Sequence, residues 1–348
     1  MSLFATYKQE LRAMYPNRLD NQEWRGTQLG LLRAIQAMTN HPESIVSQDI
    51  ETKANDSEGR VFKIPVMKDT GDVNITAVRS CTIGDLDNES ELVDVTWLTM
   101  VANLHMIKEQ HRKNEISYFE DFDRKLRRIE RSFGKSIENN IFSKLDTEKS
   151  TIYNSTLIGS KYPLVGDAVQ VAAAQQELFF NDLDAVQIAD DFDLMEHVIV
   201  GSTNLMPSVR HYINQGNSND ETLNYQFNDK TFTFSNRVVD GGGVLATGFA
   251  MPHGSLGLLT RINADARSGN TTTDGTEWSV ERLNRLGLDV GVQYKSTCED
   301  VSNVQGLEHL QATKVERWQL SLDVCLLTPY NSDPANVAGG IKKFEFLS

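Results

Sequence analysis

The chain has 348 residues, with 34 Lys and Arg against 48 Asp and Glu and a formal charge of -14. Its 39% hydrophobic and 24% charged residues are those of a folded globular protein and exclude wholesale disorder. A surface this acidic repels phosphate at long range, which excludes a protein that grips nucleic acid with its whole surface.

The length suits one large or two medium domains that bury roughly three quarters of the unfolded surface. Cys81, Cys298 and Cys325 are far apart, odd in number and without CxxC spacing. They imply reduced thiols rather than a disulfide framework or zinc site. Met1 to Asp20 alternates apolar with polar residues and has no continuous apolar core of a secretory signal. No run approaches the length of a membrane span.

Residues 1–60 are polar with short helical pieces. Thr27 to Met38 places Leu29, Leu32, Ile35 and Ala37 loosely on one side, and His41-Pro42 breaks the pattern. Asp49 to Arg60 is almost devoid of apolar residues and is expected to be mobile and exposed. The segment reads as an N-terminal arm with little core of its own. Two strand-like runs follow, Val61 to Met67 and Val73 to Ile83, joined at Asp69-Thr70-Gly71-Asp72 with hairpin turn chemistry. Pro65 demotes the first to an edge or bulge. Gly84 to Glu91 reads as an acidic exposed loop.

The clearest element is a helix over Ser117 to Leu145. Phe119, Phe122, Leu126, Ile129, Phe133, Ile137, Ile141 and Leu145 form one apolar stripe, and Ser117 with Glu120 makes a capping box. From Gly166 to Asn214 helix and strand alternate. Asp167 caps a helix through Val171, Ala174 and Leu178, and a second covers Leu183 to Ile188. His197 to Gly201 is a buried strand, and Asn204 to Ile213 is a helix with Pro207 near its first turn. The remainder is mostly β. Leu223 to Phe227 and Thr231 to Ser235 flank Asn228-Asp229 as a hairpin. Val244 to Met251, Leu256 to Ile262, Glu277 to Val280 and Leu288 to Tyr294 are further strands. A long one, Arg317 to Thr328, carries Trp318, Leu320, Leu322 and Val324 on one face. The class is mixed α+β.

Chemistry-bearing motifs are scarce. Gly241-Gly242-Gly243 with Gly248 lacks the GxxxxGK[ST] pattern and reads as a turn between strands. His105 and His111 are not spaced as a helical zinc pair and read as helix-surface histidines. His253 reads as a turn residue, and His41, His197, His211 and His309 are scattered. The clusters Glu120-Asp121-Phe122-Asp123 and Asp190-Asp191-Phe192-Asp193 lack a calcium-loop pattern and read as solvated helix ends. Lys125, Arg127, Arg128 and Arg131 are interleaved with Asp123 and Glu130. They pair along the helix, bridge to another subunit or touch phosphates, the first being favoured over the last. No catalytic, cofactor-binding or metal-binding residue is nominated, and no cofactor is implied.

The order of parts is a polar arm, a protruding hairpin, a long helix, an α/β section and a returning C-terminal strand. Val61 to Ser150, Glu196 to Asn214, Ala246 to Ile262 and Arg317 to Thr328 carry a resemblance to the major capsid proteins of tailed double-stranded DNA bacteriophages. Encapsulins and the herpesvirus capsid floor domain share that fold. The resemblance implies an N-terminal arm over 1–60 and an extended E-loop hairpin over 61–100. It implies a peripheral domain with a spine helix over 101–165 and 317–348, and an axial α/β domain over 166–316. It also implies a structural virion protein, not an enzyme, that assembles with its own copies into hexamers and pentamers of an icosahedral head, in the cytoplasm of a bacterial host. Scaffold, portal and head decoration proteins, and double-stranded DNA in non-specific contact, are the implied further partners, with no membrane. The alternatives are an encapsulin-type shell and a soluble enzyme of unrecognised type. Lys63 and Lys68 lie in the hairpin, but no motif nominates an Asn partner for crosslinking.

Overall fold

The computed structural model describes residues 29–42, 44–57, 61–67, 90–111, 118–154, 157–190, 192, 196–213, 218–219, 224–227, 230–309, 311–329 and 338–348. In chain order, helix α1 (Gly30–Thr39) buries Leu31, Leu32, Ala34, Ile35 and Met38. Helix α2 (Gln48–Asp56) starts at Ser47, whose Oγ accepts from the Ile50 N–H at 3.4 Å, and carries Asp49 and Glu51 in its first turn, where the helix dipole favours them. Strands β1 (Lys63–Met67), β2 (Ser90–Asp94) and β3 (Leu98–Ile107) follow. Helix α3 (Tyr118–Glu148) then runs for 31 residues, about 46 Å at 1.5 Å per residue. Strands β4 (Leu164–Val165) and β5 (Ala168–Val171) lead to helix α4 (Gln176–Ala189) and strand β6 (His197–Gly201). Helix α5 (Met206–Ile213) precedes β7 (Ser218–Asn219), β8 (Asn224–Phe227), β9 (Lys230–Phe234), β10 (Val244–Pro252) and β11 (Gly257–Arg261). A short α6 (Ala264–Ser268), β12 (Glu277–Leu283), β13 (Leu288–Glu299), β14 (Thr313–Leu327) and β15 (Lys342–Leu347) complete the chain.

Among the described residues these strands make three sheets. β1 and β2 pair only with each other. Strand β14 organises the second sheet. One of its edges pairs with β3 from Val315 to Val324; the other takes β13 along Thr313 to Ser321 and β11 along Asp323 to Leu327. The third sheet runs β4-β5-β15-β10-β6-β9-β8-β7.

The sequence pattern accounts for the packing. The face of β14 with Trp318, Leu320, Leu322 and Val324 is buried, as its period-2 alternation requires. It meets the α3 stripe, where Phe122 and Trp318 contact edge to face with centroids 5.2 Å apart. The stripe also reaches the third sheet, through Phe142 against Phe249 at 6.1 Å. Val198, Val200, Phe249 and Met251 therefore join one core with α3, α1 and the β14 sheet. The opposite face of the third sheet packs Phe232, Phe234, Phe344 and Phe346 against Phe179, Phe180 and Leu183 of α4. Gly248 is required there: a Cβ at that position would lie 2.3 Å from the Phe344 ring.

One carboxylate lies inside the first core. Glu138 of α3 is fully buried and accepts from the Leu32 N–H of α1 at 2.7 Å and from Ser235 Oγ–H beyond β9 at 2.6 Å. Burial pushes its pKa up against the lowering effect of those two donors.

The α+β class and most strands stand as the sequence implies. Several expectations need correction. Asp49 to Arg60 is largely exposed over its described part, as expected, but it is helical: α2 covers Gln48–Asp56, and Ala54, one turn after Ile50, is fully buried. With α1 in the main core, residues 29–57 are not an arm without a core. The segment around His105 is a strand, not a helix, and Asp167 lies in the β4–β5 turn rather than capping a helix. Strand β15 was not anticipated, because its inward series Lys342, Phe344, Phe346 opens on a charge. Sheet membership also cuts across the expected domain bounds. Strands β11 to β13, placed in the axial part, belong with β14, whereas β15 belongs with β5 and β10. Val73 to Ile83, the turn at 69–72, Ser117, Lys68 and Asn228-Asp229 lie outside the described residues.

Three outcomes are expected. Phe133→Asp places a charge at a position 4% exposed in the middle of the stripe. It should abolish the cooperative unfolding transition seen by circular dichroism. Glu138 has a raised folded-state pKa, so its contribution to stability is fully present below the unfolded carboxylate pKa and is lost as pH rises through the folded one. Glu138→Gln should therefore unfold at higher denaturant than the parent at neutral pH, with the difference shrinking toward acid pH. Glu138→Leu, which strands the Leu32 N–H, should lose about 1–3 kcal/mol in the same titration.

Candidate assembly interface

The β1–β2 ribbon stands apart from both larger sheets. Its register pairs Lys63 with Asp94, Ile64 with Val93, Pro65 with Leu92, Val66 with Glu91 and Met67 with Ser90. One face carries Lys63, Pro65, Leu92 and Asp94, all exposed, with Leu92 60% exposed. The Lys63–Asp94 ion pair at 3.0 Å is open to solvent, and such pairs contribute little. Pro65 has no N–H to give a neighbouring strand. A two-stranded ribbon with an open apolar pair is marginal in water and gains stability when something lies on it.

Its root is built differently. The Val95 N–H donates to the Phe62 carbonyl at 2.9 Å and closes the ribbon at its base. Phe62 is buried with Ala54 of α2, Leu259 of β11 and Cys325 of β14, and Ile50, Ile64, Val95, Trp97 and Leu327 pack around them. Arg261 and Asp323 sit opposite each other in the β11–β14 ladder. Arg261 Nε and Nη2 donate to Asp323 Oδ2 at 3.0 and 2.8 Å, and the guanidinium lies over the Trp97 ring, 4.4 Å from its centroid. The chain thus leaves β2 across a residue clamped by a charge-assisted, stacked contact. Burial pushes the Cys325 thiol up to about 11.

The ribbon corresponds to the hairpin read from sequence, with one change. The described partner of β1 is Ser90–Asp94, which overlaps the end of the acidic loop expected from sequence; Val73 to Ile83 lies outside the described residues. Alternation over so short and polar a strand gives no usable period. The root residues come from five separate stretches of chain, and sequence reasoning nominated none of them.

The other features fall as follows. Gly243 has φ 79 in the turn before β10. His253 lies in the turn after β10 and stacks on His41, centroids 4.4 Å apart. Asp121 and Asp123 pair with Lys125 and Arg127 at 2.8 and 2.9 Å, each four residues on, as the helix spacing implies. Asp190 is not a solvated helix end: its side chain is fully buried and paired with Lys342. Asp191 and Asp193 lie outside the described residues. Among the described residues no group of three or more His, Cys, Asp or Glu side chains is placed to hold a metal, and no helix is long and apolar enough to cross a membrane.

No family model and no curated protein matches the chain. Among solved structures it is similar to one from Microbacterium phage Oxtober96, at 13% identity and TM-score 0.49, covering 97% of this chain and 98% of that one. It is similar to the capsid asymmetric unit of cyanophage Pam1, at 10% identity and TM-score 0.46, covering 96% and 97%. A third likeness is to the capsid structure of cyanophage P-SCSP1u, at 7% identity and TM-score 0.44, covering 84% of each chain.

Two measurements probe the root. Arg261→Met, which leaves Asp323 without its charged partner, should cost about 2 kcal/mol in chemical denaturation. In the folded protein a maleimide should label the exposed Cys298 and leave the buried Cys325 unmodified until denaturant is added.

Proposed function

We propose that this chain is a shell-forming structural protein, a major capsid subunit of a tailed double-stranded DNA phage. The observation that carries the reading is a ribbon firmly rooted in the subunit whose outer face its own chain leaves exposed. A projection of this kind is completed by a neighbouring copy, and repetition of one such contact about symmetry axes closes a shell. The order of parts supports the reading: ribbon, long stripe-bearing helix, α/β sheet with helices packed on both faces, and a long returning strand. Each contact can be weak because many act together.

In this reading the ribbon and the chain between its strands form the E-loop, α3 is the spine of the peripheral part, and the sheet with α4 and α5 is the axial part. The subunits assemble as hexamers and pentamers, the chain has no catalytic role, and its place is the virion. Scaffold, portal and decoration proteins, and the packaged DNA, are further partners. An acidic surface limits premature aggregation and keeps packed DNA from adhering to the inner wall.

The test is a deletion at the root. Because Ala54 and Phe62 belong to the root cluster, the cut begins after Phe62: Lys63 to Asp94 is replaced by Asn-Gly, a two-residue turn that spans the closed base. The parent chain, expressed alone, should give capsomers, sheets or shells in size exclusion and negative-stain images. The deletion variant should keep the parent's circular dichroism in the folded core and run as single subunits. A parent that stays monomeric, or a variant that still closes shells, would overturn the reading.

A further inference from the structure

The first residue of β15 and the residue that ends α4 meet in a dry site. Lys342 and Asp190 have side chains 2% and 0% exposed, and Lys342 Nζ is in direct hydrogen-bond contact with Asp190 Oδ2. The other carboxylate oxygen, Oδ1, accepts from the Asn154 backbone N–H at 2.5 Å. The rings of Tyr153 and Phe192 flank the amine, with centroids 4.7 and 5.4 Å from Nζ. Amine, carboxyl carbon, a donor on the carbonyl oxygen and a wall of aromatic carbon thus share one buried point.

We propose that Lys342 and Asp190 condense into an intrachain isopeptide bond. In water the two groups stay an ammonium and a carboxylate, and neither attacks the other. Burial disfavours that charged pair, and desolvation lowers the pKa of Lys342. A proton passes from Nζ to Oδ2 along their hydrogen bond, leaving an amine and a carboxylic acid. The Nζ lone pair then attacks Cγ and forms the C–N bond. Negative charge develops on Oδ1, where the Asn154 N–H already donates, as a donor does in an oxyanion hole. A second Nζ proton goes to Oδ2, the Cγ–Oδ2 bond breaks, and one water leaves. The products are one amide and one water, and no oxidant, reductant or co-reactant is consumed. The fixed contact replaces a bimolecular encounter, and the aromatic wall limits water for the reverse hydrolysis. The two buried charges become a neutral amide, and the end of α4 is stapled to an interior strand of the eight-stranded sheet.

Intact-mass measurement on the folded full chain, incubated at neutral pH, tests this directly. The expected mass is about 18 Da below that of the sequence, the loss of one water. Digestion should yield a branched peptide that joins the segments containing Asp190 and Lys342. Asp190→Asn, whose leaving group is ammonia, should fall about 17 Da below its own sequence mass, and Lys342→Met should show the full mass. A wild-type chain that keeps its full mass after prolonged folded incubation overturns the proposal. So does a water loss that maps to one unbranched aspartate, as a cyclic imide would. Because the decisive readout is on the unaltered chain, a variant that misfolds does not obscure the result.

Discussion

The stripe along α3 is the constraint on which the rest of the fold depends. Seven apolar side chains from Phe122 to Leu145 are buried on one side of a single rod. One end of that side meets Trp318 of the β14 sheet, and further along Phe142 meets Phe249 of the eight-stranded sheet. Neither sheet shares a strand with the other, so the helix is the surface against which both are referenced. α1 is held to the same rod by Glu138, whose carboxylate satisfies a backbone N–H of α1 and a hydroxyl beyond β9. A carboxylate there is costly in desolvation, but it joins three elements at one point, which an apolar side chain of the same size cannot do.

The ribbon is the counterpart of this closed core. Its base is fixed by a backbone hydrogen bond, a buried phenylalanine and a stacked arginine, and among the described residues its exposed face has no comparable support. That division suits a projection that must hold its direction and receive its remaining contacts from elsewhere. The N-terminal part behaves otherwise: residues 29–57 lie on the subunit body and contribute α1 to its core and α2 to the ribbon's root. The exposed face on which an assembly reading rests is therefore that of the ribbon, where Leu92 is 60% exposed.

The eight-stranded sheet holds its own charged contacts under α4. Asp184 of that helix and Asp190, which caps its C-terminal end, reach Lys230 of β9 and Lys342 of β15. The helix is thus pinned to two strands, one on each side of the β6–β10 pair, while its phenylalanines fill the space between. Charged contacts with fixed partners set the position of α4 along the sheet more narrowly than apolar contact alone, which tolerates sliding.

By itself the sequence determined the elements whose side chains repeat with a strong period. The α3 stripe, the alternating face of β14 and the apolar run of β6 are legible because each buries one continuous face, and burial imposes the 3.6- or 2-residue repeat. It also determined the α+β class and the i,i+4 pairing of Lys125 and Arg127 with their aspartates. Only the tertiary structure decided the partner of β1, the strand nature of the His105 segment, the sheet to which β15 belongs, and the meeting of Phe62, Trp97, Arg261, Asp323 and Cys325 at the ribbon's root. Those features depend on contacts between residues far apart in the chain, where a buried Lys342 or Asp190 looks like any surface charge until its partner is placed beside it. Local periodicity reports which face of an element is buried; it carries no information about what buries it.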